Sequence, residues 1–546
     1  MLTNYGLNNF LKSALYRPSD LGMSYASAGG LGANRIQHPI GSDPALLATL
    51  DNQGKIVTGR DRNGNVWEIC VHGPGSVIVT DATPNDGVLD DDIDSIQLIN
   101  TDVNRTRVVG SVRTSNQILT SGTVVFNRLF AQQGVKSIDL KGFILTQTVT
   151  PPNGGSPNSN TSIELLGGVR SLSFQGIDAP IDLATNSQPI NVVIGDPNTP
   201  LRFKPSLRID QIRNTVFDST STVVPTGPQV LPTVNIIING ASHSIQFVSA
   251  TQAVVDPALA FLFPIVGTTG RTTIQTRSID RLTFRGSAIN TTASRSATPF
   301  QNGLSSMEHL GSADFGGNAD ALGLDVKGRV GGLRFARGLG SPVGVSTAAT
   351  TYGTPLNEFG YPANGLVGGL VTGSEVGHVV AAPANTILQT PQNPNQIQTI
   401  PGVTNYVDRP GSAFSSAAIV TSGSQGKTTI VGNLTNSEIK AGTDYPSVVA
   451  GLQGARARSK ISPIKLRGDL VDSVVSASYR PGANGYGTSG SVAGRGKLRG
   501  HFIGSLYNNG GQTILGNRGA GFYARSKTPS LAPPEIGKRV GGLLVR

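Results

Sequence analysis

The side chains that could carry acid–base or metal chemistry are few and scattered. Histidines stand at positions 38, 72, 243, 309, 378 and 501, and the lone cysteine is Cys70, so no set has the spacing of a zinc site. Asp280, Arg281, Glu308, His309 and His378 fall at outward positions of short repeated segments, and His309 and His378 read as sharing one phase. A carboxylate pair with a neighbouring Arg and His is what cleavage of an acidic sugar chain requires. The alternative is surface decoration, which every half-buried strand presents on its outer face. Asp81, Asn85, Asp86, Asp90, Asp91, Asp92 and Asp94 offer oxygens to Ca²⁺. Placing Gly87 at the turn glycine of an EF-hand-type loop puts Ala82, Pro84 and Ile93 at ligand positions, so that pattern fails. A looser site and a solvated acidic turn that meets the basic end of another copy stay open. Thr421-Ser-Gly423-Ser-Gln-Gly426-Lys427-Thr428 mimics a phosphate-binding loop, but Thr421 occupies the place of the first glycine. The Ile430–Thr435 stretch is too β-like to supply the helix that such a loop needs. No Ser-His-Asp set and no G-x-S-x-G elbow is identifiable. No catalytic, cofactor-binding or metal-ligating residue is therefore assigned, and the sequence favours a role other than catalysis.

The elements that hold these residues are strands. Seventy glycines and 33 prolines in 546 residues interrupt regular structure too often for long helices and suit short strands with tight turns. A hydrophobic fraction of 37% supplies a large core, which excludes global disorder. One short amphipathic helix is expected at Leu2–Leu15, with Leu7, Phe10, Leu11 and Leu15 on one face, before a Gly-rich stretch at Ala28–Ala33. Lys55-Ile-Val-Thr58, a turn at Asn63-Gly64 and Val66–Cys70 predict a β-hairpin.

From about residue 75 a pattern recurs: apolar, two others, aliphatic, one other, apolar or aromatic. It reads Val135-x-x-Ile138-x-Leu140, Val169-x-x-Leu172-x-Phe174, Ile279-x-x-Leu282-x-Phe284 and Val330-x-x-Leu333-x-Phe335. Weaker copies are Ser242–Phe247, Met307–Leu310, Val376–Val379 and Val471–Val474. The longest interval, 73 residues from Leu172 to Ile245, has room for a further copy. Pro151–Thr161 and Gln389–Pro401 read as projecting loops, and enrichment in Gly, Ala and Ser after about residue 300 predicts narrower rungs or looser packing. One such strand cannot bury its apolar face alone, whereas stacked copies make a continuous core.

These glycine-punctuated units resemble right-handed parallel β-helix proteins, the superfamily that includes pectate-lyase-like enzymes, phage tailspikes and surface adhesins. The resemblance is architectural and spans about residues 75–525. It implies an all-β parallel β-helix, or β-solenoid, with an elongated shape and frequent self-association or surface display; the superfamily holds enzymes and non-enzymes alike. Three regions follow: 1–74, an N-terminal helix and hairpin for capping or assembly; 75–450, the body; and 451–546, a basic Gly-rich end.

Charge is the most informative feature of composition. From Gly451 onward, 15 Lys and Arg face Asp469, Asp472 and Glu535, a balance of +12 that leaves −1 for the first 450 residues of a chain whose net charge is +11. A near-neutral body with a basic end calls for an anionic partner, an anionic glycan or an acidic surface before a nucleic acid, or else is a solvated tail. Tyr479, Tyr486, Phe502, Tyr507, Phe522 and Tyr523 lie among these cations, but rings in Gly-rich strands usually pack inward. No run of apolar residues is long enough for a membrane helix, and Met1–Asp20 lacks the apolar core of a secretory signal. The expectation is a self-assembling structural protein of an extracellular fibre, layer or cell surface, whose unlike ends suit head-to-tail assembly. The alternative is a polysaccharide-binding or polysaccharide-cleaving protein.

Overall fold

The structure is a computed structural model that describes residues 53–81, 89, 92–114, 122–146, 161–179, 181–182, 189–213, 216–217, 233–250, 271–289, 291–296, 305–320, 322–340, 369–382, 412–415, 417–435 and 437–442, with short strands at 35–37 and from 460 onward. Among the described residues every regular element is a strand and none is a helix. The expected helix at Leu2–Leu15 and the expected loops at 151–160 and 389–401 lie outside them.

The predicted hairpin forms. Ile56–Arg60 pairs antiparallel with Val66–His72, and Gly64 in the turn has φ 80°, a conformation that favours glycine. Val66–His72 then pairs antiparallel with Arg107–Arg113, and Ser76–Asp81 with Ile93–Ile99. Trp67 is fully buried in this antiparallel part.

Beyond it the pairing turns parallel, in three ladders. The first runs from Ile93–Ile99 through Val124–Ala131, Ser162–Leu165, Ile190–Ile194 and the first half of Thr233–Ala250. It ends at Val474–Ala477 and Gly521–Tyr523. The second runs from Arg107–Arg113 through Val135–Thr146, Val169–Asp178, Ser206–Arg213 and the second half of Thr233–Ala250 to Ile464–Arg467 and Lys497–Arg499. The third is made of two- to four-residue strands in the described C-terminal half, such as Ala319–Asp320, Leu339–Gly340 and Ser412–Ser415. Near its start the sheet closes on itself as a parallel barrel of seven strands, because Val124–Ala131 also pairs with the end of Val135–Thr146. Gly142, at φ 82°, lets Val135–Thr146 turn that corner; the remaining strands are bonded outside the ring.

Register makes the core a set of columns. In the first ladder Ile96, Leu129, Ile163, Val192, Ile236, Ile274, Ala293, Leu324, Val371, Ile419, Ile439 and Val475 are register partners in succession, and all are buried. In the second ladder the last apolar position of the pattern gives Phe247, Phe284, Phe315 and Phe335. Parallel neighbours stand about 4.8 Å apart, and these rings stack at centroid separations of 4.7, 5.4 and 5.3 Å, each pair within 22° of coplanar. Where Ala381 breaks the column, Phe335 meets Phe414 edge-on at 6.1 Å.

The phase of the repeat corrects two weak copies. Leu310, not Met307, pairs with Val330, so the true copy is Leu310-x-x-Ala313-x-Phe315 and not Met307–Leu310. Val471 belongs to the third ladder and Val474 to the first, so Val471–Val474 is no copy. The long interval does hold a further copy, since Leu207 pairs with both Leu172 and Ile245. Its sequence departs from the pattern because Lys204 fills its first apolar place. Spacing after residue 300 is uneven and not uniformly narrower: Leu310 and Val330 are register partners 20 residues apart, but Val330 and Val376 are 46 apart and Val376 and Gln425 49 apart.

Phe315→Ala removes a buried ring with a stacked neighbour on each side and should cost about 3–5 kcal/mol of stability. Phe315→Leu, which keeps apolar volume, should cost less than half of that. Denaturant unfolding followed by far-UV circular dichroism measures both, and a loss below about 1 kcal/mol for Phe315→Ala would contradict the stacked core.

Candidate functional site

The outer face of the second ladder carries the side chains singled out for chemistry, and the structure gives each a partner or a place. Asp280 takes partners from the two preceding passes of the chain: Lys204 Nζ donates to its Oδ1 at 2.7 Å, and His243 Nδ1 lies 3.2 Å from its Oδ2. Partial burial pushes the Asp280 carboxyl up, but the hydrogen bonds and charges of Lys204 and His243 outweigh it and hold the group below its ordinary value of 3.8. Glu308 Oε2 is 2.8 Å from Arg277 Nε, and its Oε1 is 3.7 Å from Arg295 Nη1. Both carboxylates therefore sit among cations. A general acid on a glycosidic oxygen needs a raised pKa, and Asp280 has the opposite shift.

The histidines do not share a phase. His309 is in register with Ser278, whereas His378 is in register with Gly332 and Lys427, three positions further along the pattern. Arg281 stands beside Ser312, in the His378 column. The His378 ring covers Gly332, where an added Cβ would come within 2.2 Å of it.

Of the acidic stretch, Asp81, Asp92 and Asp94 are described, and Asn85, Asp86, Asp90 and Asp91 lie outside the described residues. Buried Asp92 pairs with Arg62 at 2.6 Å, and Asp94 Oδ1 accepts from Asn127 Nδ2 at 3.4 Å. Among the described residues no group of three His, Cys, Asp or Glu is placed to hold a metal ion. The half-buried Cys70 thiol points to Glu68 Oε1 at 3.4 Å.

The segment that mimics a phosphate loop is two strands, Ala417–Thr421 and Gln425–Val431, joined by a short turn. Its glycines serve stacking. A Cβ on Gly426 would lie 1.9 Å from the Gly377 carbonyl oxygen, one on Gly377 2.1 Å from that of Gly331, and one on Gly331 2.1 Å from that of Gly311. Gln425 and Thr428 are buried, and Gln425 Nε2 donates to Thr428 Oγ1, so these two side chains belong to the core.

Lys204, His243, Arg277 and Arg295 were not singled out in the sequence, although the signal for one pairing was there. The patterns Ser242–Phe247 and Ile279–Phe284 put His243 and Asp280 at the same second place, and register pairs Ser242–Ile279 and Ser244–Arg281 flank them. The same logic extends along the outer face: Arg213 pairs with Asp178 at 3.0 Å and Arg334 with Asp314 at 3.1 Å, each beside its partner in register. A polar column continues on the first ladder, where Asn235 Nδ2 donates to Asn191 Oδ1 and Thr273 Oγ1 donates to Asn235 Oδ1. What this arrangement does chemically is tie successive passes together.

No family model, curated protein or solved structure matches the chain. Among the described residues no helix is long and apolar enough to cross a membrane.

Because the folded Asp280 value is depressed, its contribution to stability is present above the unfolded value and is lost as pH falls through the folded one. At neutral pH, Asp280→Asn should cost about 0.5 kcal/mol, as expected for a partly exposed ion pair. The gap between Asp280→Asn and the unaltered protein should close on acidification below about pH 4. Urea midpoints measured across this range test it; a gap that stays constant would show that the charge of Asp280 is not what matters.

Proposed function

We propose that the chain is a β-solenoid of the parallel β-helix type and that it serves as a self-assembling structural protein of an extracellular fibre, layer or cell-surface structure. The observation that carries this reading is the register: pass after pass, the same position of the pattern falls in the same column, apolar and aromatic inside and polar outside. A core of this kind grows by repetition, and its natural product is an elongated body. The outer face supports a structural role as well, since the carboxylates suited to catalysis are spent on ion pairs between passes. The Lys204 and His243 partners suit Asp280 to an ionised role and not to that of a general acid on a glycosidic oxygen.

Assembly draws on the charge asymmetry, with the basic end of one copy meeting the near-neutral, locally acidic body of another. Negative-stain microscopy of the purified full chain at about 20 mM and about 500 mM salt tests this. Elongated polymers or sheets at low salt that shorten at high salt are expected. Strictly monomeric particles under both conditions would remove self-assembly from the reading and leave only an elongated monomer.

A further inference from the structure

The inward places of the second ladder lose apolar volume from pass to pass and then regain it. Leu310, Ala313 and Phe315 are followed in register by Val330, Leu333 and Phe335, next by Val376, Val379 and Ala381, and next by Gln425, Thr428 and Ile430. The pass after that brings Ile461, Ile464 and Leu466, and every one of these residues is buried. The first ladder thins at the same passes: Leu322 is succeeded by Gly369 and Ala417, and Gly373 by Thr421 and Ala441. Buried Thr421, Gln425 and Thr428 thus form a polar layer between two apolar blocks.

That layer is incompletely bonded. Thr428 Oγ1 accepts from Gln425 Nε2 at 2.8 Å and donates to the Gly426 carbonyl at 3.2 Å, while Gln425 Oε1 is buried with no partner among the described residues. Turning the amide over only exchanges the bare oxygen for a bare nitrogen, because Thr428 serves one end at a time. A buried polar atom left unpaired weakens the layer that holds it. The backbone is interrupted at the same boundary. Seven-residue strands run unbroken through His309–Phe315, Arg329–Phe335, Glu375–Ala381 and Gln425–Val431, but the next pass is split into Lys460–Ile461 and Ile464–Arg467. Ser462 and Pro463 stand between those two in the sequence, and a proline brings no N–H to a ladder.

We infer that the boundary between the Gln425–Val431 pass and the 460–467 pass is a seam, at which the C-terminal part of the solenoid opens as one unit while the body stays folded. In a stack each pass is held by its neighbours alone, so one weak junction divides the stack into two cooperative units. Fraying of a chain end is a different behaviour, and the return of apolar packing at Ile461, Ile464 and Leu466 speaks against it. The basic excess of +12 counted from Gly451 onward lies almost wholly beyond the seam, so opening frees that charge from the near-neutral body. The seam belongs to a single chain and does not depend on the assembly reading.

Amide hydrogen exchange read by mass spectrometry tests it, on the full chain in about 500 mM salt, which screens charge-driven association. Peptides covering Ile464–Arg467, Lys497–Arg499 and Gly521–Tyr523 should share one level of protection, at least about tenfold below that of the strands within 271–335. Gln425→Leu/Thr428→Val makes the layer apolar. It should slow exchange of the three C-terminal peptides together by about tenfold and change 271–335 by less than about twofold. Should the double variant disturb folding by circular dichroism, Gln425→Met is the replacement, with a smaller slowing in the same direction. Protection equal to that of the body overturns the seam, as does protection that falls gradually from Ile464–Arg467 to Gly521–Tyr523. Variants of the layer that leave all three peptides unchanged overturn it equally.

Discussion

Parallel hydrogen bonding in register is the interaction on which everything else rests. It fixes each residue about 4.8 Å from the residue at the same place one pass earlier, so side chains are selected by column and not one at a time. Columns of Ile, Leu and Val are rewarded by burial, and a column of Phe gains ring stacking in addition. Asn and Thr in succession hydrogen-bond along the column, as Asn191, Asn235 and Thr273 do. Backbone crowding selects in the same way. Gly311, Gly331, Gly377 and Gly426 occupy one place in successive passes because each lies against the carbonyl of the pass before. Charge alone cannot repeat in a column without cost, which is why acids answer bases from pass to pass along the body.

This selection explains what was legible in the sequence. The second ladder announced itself because its inward places alternate with polar ones, so Val169-x-x-Leu172-x-Phe174 has a visible period. The first ladder is uneven: Ile190–Ile194 alternates, but Ala417–Thr421 is buried at every position and so cannot be told from any apolar run. The third ladder, in strands as short as Leu339–Gly340, is too brief to carry a period. The hairpin was legible through Asn63-Gly64, while its continuation into Arg107–Arg113 was not, since that pairing has no local signal.

Phase errors propagated into the candidate site. Starting the copy at Met307 instead of Leu310 shifted its outward residues by three and put His309 in the place that belongs to Ser312. The same slip concealed the Asp314–Arg334 pair, which the correct phase makes direct neighbours. Ala313 is a poor marker of the aliphatic place. Lys204 was hidden likewise, since its copy begins on a charged residue, yet its reach to Asp280 bridges two passes. Both were lost because a column tolerates one misfit when its neighbours pack well.

The ends of the ladders are not bare parallel edges. The strands that open the first and second ladders are already paired on their other side, Ile93–Ile99 with Ser76–Asp81 and Arg107–Arg113 with Val66–His72, both antiparallel. An incoming strand therefore finds no free parallel edge there. At the far end of the second ladder Lys497–Arg499 passes its hydrogen bonds to Leu543–Val545, which Arg539–Val540 in turn covers antiparallel. Exposed edges invite uncontrolled pairing, and antiparallel cover is one way of removing them. Along the second ladder, then, the strand at each end is covered, and the outermost edge belongs to a strand of another segment.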